Sequence, residues 1–208
     1  MVIEFFGVPG SGKTTGARYL SSELGIPFVK GGEGKSTSAV MCAITHPVKT
    51  SFFLVVALQQ TAHSHTWALF RWRIRTILGT FSILHRATRH GSDTIVDEGL
   101  LQRVLSIYEE ALTEANASRI VRLLSPELVV YITDTERQFQ RYNDSTHPRR
   151  RLGDGYMDRW KDIVRQNTGL LYRSLAGNGT PCVVASDSCD TRIADAISAH
   201  LSRRNSRI

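Results

Sequence analysis

The sequence predicts an α/β domain of three layers, a five-stranded parallel sheet with helices on both faces. Three observations carry that expectation. Short apolar runs alternate with stretches of helical period along all 208 residues; a glycine-rich turn follows directly on the first run; and the third run closes on two acidic residues. Alternation of this kind implies right-handed crossovers between parallel strands, with any ligand beyond the strands' carboxyl ends. No repeat, low-complexity tract or linker interrupts it, so a single domain over 1–208 is expected.

The first strand is Val2 to Phe6, and it runs into Gly7-Val8-Pro9-Gly10-Ser11-Gly12-Lys13-Thr14, which fits the phosphate-binding pattern GxxxxGK[ST]. Chemistry explains these residue types at this spacing. Gly7, Gly10 and Gly12, with Pro9 and Ser11 between them, let backbone N–H groups turn inward around phosphates; Lys13 reaches the β- and γ-phosphates, and the Thr14 hydroxyl suits Mg²⁺. Thr15 and Ala17 to Leu24 continue as a helix whose dipole faces the anion. A nucleoside triphosphate is therefore the expected ligand.

A second strand is expected at Pro27 to Lys30. Trp67, Phe70, Ile74, Ile77, Leu78, Phe81 and Leu84 then recur at helical spacing and predict a core-facing stripe. The third strand, Thr94 to Val96, ends in Asp97-Glu98-Gly99. Asp97 is placed to organise the metal and its waters, and Glu98 to accept a proton from an attacking hydroxyl; the same acids would also cap a helix starting near Leu100. Leu101, Val104, Leu105, Tyr108 and Leu112 form a second helical stripe.

The fourth strand is Leu128 to Ile132. Thr133-Asp134-Thr135-Glu136 matches a capping box, so a helix carrying Arg137 and Arg141 on one face should follow. Asn143 to Gly155 is polar, with Arg149-Arg150-Arg151 at its centre, and reads as a basic flap whose arginines can grip phosphate oxygens; a solvated loop is the alternative. Cys182 to Ala185 is the fifth strand, ahead of a final helix.

Composition excludes several classes. With 41% apolar and 22% charged residues the chain is neither disordered nor a coiled coil. The longest apolar run, Phe52 to Leu58, is too short to span a membrane, and with no room for a leader before the first strand a cytoplasmic protein is expected. Cys42, Cys182 and Cys189 form no CxxC pair and read as reduced thiols. His63-Ser64-His65 points its rings apart and makes a poor metal site. The net charge of +7 is uneven: Gly34 to Ser92 holds no Asp or Glu but seven Lys and Arg, among them Arg71, Arg73 and Arg75. That segment predicts a basic face or an anionic-substrate pocket. No nucleic-acid motif accompanies it, and a homodimer is left open.

In order along the chain, these features resemble the nucleoside and nucleoside-monophosphate kinase group of P-loop proteins, and are most similar to thymidylate kinases. The resemblance rests on the phosphate loop, the turn Lys30 to Gly34, the basic helix around Arg71 to Arg75, the acid at Asp97, the arginine helix, the lid and the last strand. It implies strand order 2-3-1-4-5, ATP as the donor, a lid arginine on the transferred phosphate, and adenine around Ser186 to Cys189, with Ser186 and Asp187 nearest the strand; the acid-free segment separately favours a small anionic acceptor, with Arg71 and Arg75 as its candidate cations. Thymidylate kinases place Arg after the strand-end Asp, where this chain has Glu98-Gly99. A phosphate acceptor needs no base, whereas a hydroxyl acceptor benefits from one, so Glu98 also permits a nucleoside or sugar kinase. The competing class is a regulatory nucleotide binder; an Asn-Lys-x-Asp guanine motif is absent.

Overall fold

In the computed structural model of the chain, residues 1–30, 41, 44–61, 66–89, 93–133, 149, 152–186 and 191–206 are described. Five strands, β1 (Val2–Gly7), β2 (Phe28–Val29), β3 (Thr94–Val96), β4 (Leu128–Ile132) and β5 (Cys182–Ala185), form one sheet in the order β2-β3-β1-β4-β5. Every pairing is parallel. This is the expected P-loop α/β arrangement, with β2 two residues shorter than its apolar run suggested.

β1 sits at the centre and sorts the core by its period of two. Ile3 and Phe5 face one side, where they pack with Ala17 and Leu20 of α1 (Lys13–Leu24) and Ile193 and Ile197 of α7 (Thr191–Asn205). Phe6 faces the other side. It meets a larger cluster from α2 (Pro47–Thr61), α3 (Trp67–Arg89), α4 (Leu100–Ile107), α5 (Glu114–Leu124) and α6 (Asp154–Gly177). Phe53 of α2 meets Phe81 of α3 edge to face, ring centroids 5.9 Å apart. Each such buried ring stabilises the fold by about 1.5–3 kcal/mol.

Local chemistry sets the helix limits. α1 begins after Gly12, whose φ of 84° no branched side chain adopts easily, and stops at Gly25 with φ 62°. α5 is capped by the Thr113 hydroxyl, which accepts from Asn116 N–H at 3.2 Å. The stripe read from Leu101 to Leu112 is helical only to Ile107, because Tyr108 turns extended (ψ 135°). The stripe in α3 is also only partly core: Ile77 and Phe81 are buried, whereas Trp67 and Leu78 are exposed. Thr133 donates its hydroxyl to the Ala185 carbonyl at 3.1 Å, tying β4 to β5, and the rest of the expected capping box, Asp134 to Glu136, lies outside the described residues. No described helix is long and apolar enough to cross a membrane.

The turn after β3 is held from beneath by Glu4. This carboxylate is buried in the central strand on the same side as Phe6, accepts from Leu101 N–H at 3.4 Å, and fills the space that a Cβ at position 99 would need. A side chain at position 99 would therefore have to displace the Glu4 carboxylate. Burial pushes the Glu4 carboxyl above the ordinary range, with the Leu101 N–H pulling the other way. An acid whose folded pKa is raised contributes stability below its unfolded value and loses it as pH rises through the folded one. Glu4→Gln should therefore raise the melting temperature at pH 8, by roughly 2–4 °C for each kcal/mol relieved in a chain of this size, and change it little at pH 4. Thermal melts of the two proteins across that range check it.

Candidate active site

The phosphate loop leaves the carboxyl end of β1 and enters α1. At Gly7 a Cβ would lie 2.6 Å from the Ile132 carbonyl oxygen of β4, so the close packing of the two strand ends admits only glycine. Gly10 and Gly12 carry φ near 88° and 84°. Ser11 N–H closes a turn onto the Val8 carbonyl at 3.2 Å. Its hydroxyl is buried without a hydrogen-bond partner, a polar atom inside the loop left over for a ligand.

Lys13 folds back over this loop, donating from Nζ to the carbonyls of Gly7 (3.1 Å) and Val8 (2.8 Å). Burial pushes its ammonium down to about 8, against the pull of the Glu98 and Asp97 carboxylates. Thr14 Oγ1 donates to Asp97 Oδ2 at 2.9 Å across 83 residues of sequence, and Asp97 is almost fully buried at the end of β3. Lys13, Thr14, Asp97 and Glu98 are thus brought together. A hydroxyl and a carboxylate are hard oxygen donors, as Mg²⁺ requires when substrate phosphates and water complete its shell. Among the described residues no cluster of three or more His, Cys, Asp or Glu is placed to hold a metal ion.

Glu98 is partly exposed and pairs with Arg103 of α4, Oε2 to Nη2 2.9 Å. The neighbouring Gln102 accepts from Gly7 N–H at 3.3 Å. Sequence reading passed over both residues, which sit in the first turns of α4 and take their meaning only from the loop and turn beside them.

The basic residues are distributed differently from expectation. Arg71 and Arg75 lie exposed on the outer face of α3, while Arg73 between them is fully buried. This follows from helical geometry, since residues two apart face nearly opposite ways. Arg73 Nη2 meets Glu109 Oε1 at 2.7 Å. Arg149, expected in a basic flap that grips phosphate oxygens, is also fully buried: Nε and Nη2 donate to the same Glu109 oxygen at 3.0 and 2.6 Å, and Nη2 donates to the Ser106 carbonyl at 2.7 Å. Its guanidinium lies between the Trp72 and Trp160 rings, 4.9 and 4.4 Å from their centroids. Trp160 packs in turn with Val8 of the phosphate loop. Arg137, Arg141, Arg150, Arg151 and Asp187 lie outside the described residues, as do most of the expected lid and the His63-Ser64-His65 segment. Ser186 follows β5 at the sheet edge.

With this geometry established, solved structures give the fold its relatives. The chain superposes on a deoxyadenosine kinase from M. mycoides with bound dATP at a TM-score of 0.54, with 16% identity, over 97% of this chain and 99% of that one. It shares that fold. The same enzyme with the products dCMP and a flexible dCDP matches at 0.47 and 15% identity over the whole of both chains. The YorR protein from Bacillus subtilis, in complex with phosphorylated GDP, matches at 0.42 and 19% identity over 99% and 98%. No family model and no curated protein matches the chain.

Glu109 holds this wall of the site together. Burial alone would raise its carboxyl, but the Arg149 charge and hydrogen bonds from Arg149, Tyr156 and Arg73 hold it below the ordinary range. Replacing it by alanine leaves two buried guanidinium groups short of their counter-ion, and should cost about 3–5 kcal/mol in denaturant unfolding at pH 7. An acid with a lowered folded pKa contributes stability above its unfolded value and loses it as pH falls through the folded one. The gap between wild type and Glu109→Ala should therefore narrow in acid below pH 4.

Proposed function

We propose that the chain is a Mg²⁺-dependent kinase that transfers the γ-phosphate of ATP to a nucleoside or nucleotide. The observation that carries this reading is the meeting of Lys13, Thr14 and Asp97 at the mouth of a glycine loop, in a chain with the fold of a deoxyadenosine kinase. In this reading Lys13 gives up its two loop carbonyls to the donor phosphates, and the loop N–H groups and the Ser11 hydroxyl take the remaining oxygens. Thr14 and Asp97 hold Mg²⁺, which neutralises charge on the phosphates.

Glu98 favours a hydroxyl acceptor. It stands beside Lys13 with its carboxylate steadied by Arg103, and it is partly open to solvent. In the transfer it takes the acceptor's hydroxyl proton as the acceptor oxygen bonds to the γ-phosphorus and the bond to the bridging oxygen of ADP breaks. Of the cations that suggest a phosphorylated acceptor, Arg71 and Arg75 are exposed and Arg73 is engaged by Glu109. The second reading, a monophosphate acceptor as in thymidylate kinases, is favoured by Arg103 itself, a cation at the strand-end turn where that family also supplies one.

Variants separate these readings. Lys13→Ala and Asp97→Asn should each abolish transfer while the fold survives, and excess Mg²⁺ should partly restore the second. Glu98→Gln should lower kcat by roughly 10²–10⁴-fold with ATP affinity unchanged if the acceptor is a hydroxyl. Near-normal kcat would favour the monophosphate. Full activity in folded Lys13→Ala would remove the site assignment altogether.

A further inference from the structure

Glu4 is the one acid in an otherwise apolar central strand, VIEFFG, and its carboxylate is buried where the pattern calls for another apolar side chain. It lies against the start of α4. That helix has no side-chain cap of its own, because Gly99 stands at its N-cap position with an extended backbone (φ −78°, ψ −163°). The Glu4 carboxylate takes the place of the cap, accepting from Leu101 N–H at 3.4 Å and acted on by Leu100 N–H as well. An acid at a helix N-terminus is also favoured by the dipole. Two residues of the same first turn reach the site: Gln102 accepts from Gly7 N–H at 3.3 Å, and Arg103 holds Glu98 at 2.9 Å. Glu4 and Glu98 further share the wall of one cavity of about 10 Å³ with Thr80 of α3. The turn Asp97-Glu98-Gly99 is thus gripped at both ends, Asp97 by the Thr14 hydroxyl and Gly99 by the carboxylate on which a Cβ would collide.

We propose that Glu4 is a positioning residue for Glu98: it caps α4 from the neighbouring strand and so fixes the turn that aims the Glu98 carboxylate at the acceptor's hydroxyl proton. This role rests on Glu98 acting as the base for a hydroxyl acceptor. It gives a use to a carboxylate whose burial costs stability, and breaks of a local rule are expected where a site is served. A plain space-filling role has a different consequence. An apolar side chain of similar length would fill the same volume and, free of the buried carboxyl, hold the strand at least as well. Only a hydrogen-bond acceptor at position 4 can also hold the Leu101 N–H and, with it, the first turn that carries Gln102 and Arg103.

Kinetics of Glu4→Met and Glu4→Gln separate the two roles, with folding checked by circular dichroism and the best hydroxyl acceptor taken from a panel of deoxynucleosides. Glu4→Met should lower kcat by on the order of 10–100-fold, the scale of a displacement of about 1 Å at a reacting group. Its Kd for ATP–Mg²⁺ should stay within about threefold of wild type, since Lys13 and the loop N–H groups are untouched. Glu4→Gln, whose amide oxygen still accepts from Leu101, should recover most of the loss. In an Arg103→Met background Glu4→Met should cost much less, because the pair it aims is already gone. Hydrogen exchange should show the Leu100 to Arg103 amides losing protection in Glu4→Met and regaining it in Glu4→Gln. Should Glu4→Met not fold, Gly99→Ala crowds the same carboxylate from the turn and should lower kcat likewise. Wild-type kcat or unchanged protection in folded Glu4→Met, an equal loss in Glu4→Gln, or wild-type kcat in Gly99→Ala would overturn the proposal. A wild-type protein that phosphorylates no hydroxyl, or Glu98→Gln at full kcat, would instead remove the reading of Glu98 beneath it, and the proposal with it.

Discussion

The placement of β1 governs the rest of the molecule. It is hydrogen-bonded on both sides, to β3 and to β4, and its register sets Glu4 opposite Val96 and Gly7 opposite Ile132. The first pairing brings Asp97, one residue beyond Val96, within reach of Thr14. The second presses the start of the phosphate loop so closely on the Ile132 carbonyl that only glycine fits. A slip of one residue would exchange the faces of Ile3 and Phe5 with those of Glu4 and Phe6, exposing both cores at once. The geometry of the site is therefore fixed by the same register that fixes the hydrophobic layers.

Among the described residues, three arginines near the site are engaged by buried or half-buried carboxylates, and two on α3 are exposed. Arg73 and Arg149 share Glu109, Arg103 holds Glu98, and Arg71 and Arg75 face outward. A buried ion pair adds little net stability over an apolar replacement, but removing one member is costly because the other charge stays buried. The pairing around Glu109 thus acts as a constraint on geometry. It ties α3 and Arg149 to the residue just past α4 and, through Trp160 and Val8, to the phosphate loop. The loop and this cluster are packed together through Val8 and Trp160.

The strands at Thr94, Leu128 and Cys182 were legible to the residue, because each is a short run rich in β-branched residues and flanked by polar residues or proline. The phosphate loop was legible because its chemistry is local: one run of eight residues supplies turn, cation and hydroxyl. Glu4, Arg103 and Glu109 were not. Their meaning depends on partners far along the chain, such as Leu101 for Glu4, and nothing local distinguishes them from ordinary surface charges. The arginines of α3 show the same limit. Sequence placed Arg71, Arg73 and Arg75 together, but only the packing of α3 decides that the middle one turns inward and the outer two do not. Arg149 sits in a polar arginine run that reads as solvated, and the two tryptophans that enclose it come from helices on either side of it in the sequence.

The account rests on phosphate leaving ATP for a second molecule rather than for water. Incubating the protein with Mg²⁺ and ATP labelled in the γ-phosphate, across a panel of deoxynucleosides and nucleoside monophosphates, tests that most directly. The account predicts label in one class of acceptor, dependent on Lys13 and Asp97. Label released only as inorganic phosphate, whatever acceptor is supplied, would contradict it and make the chain a nucleotide-hydrolysing switch.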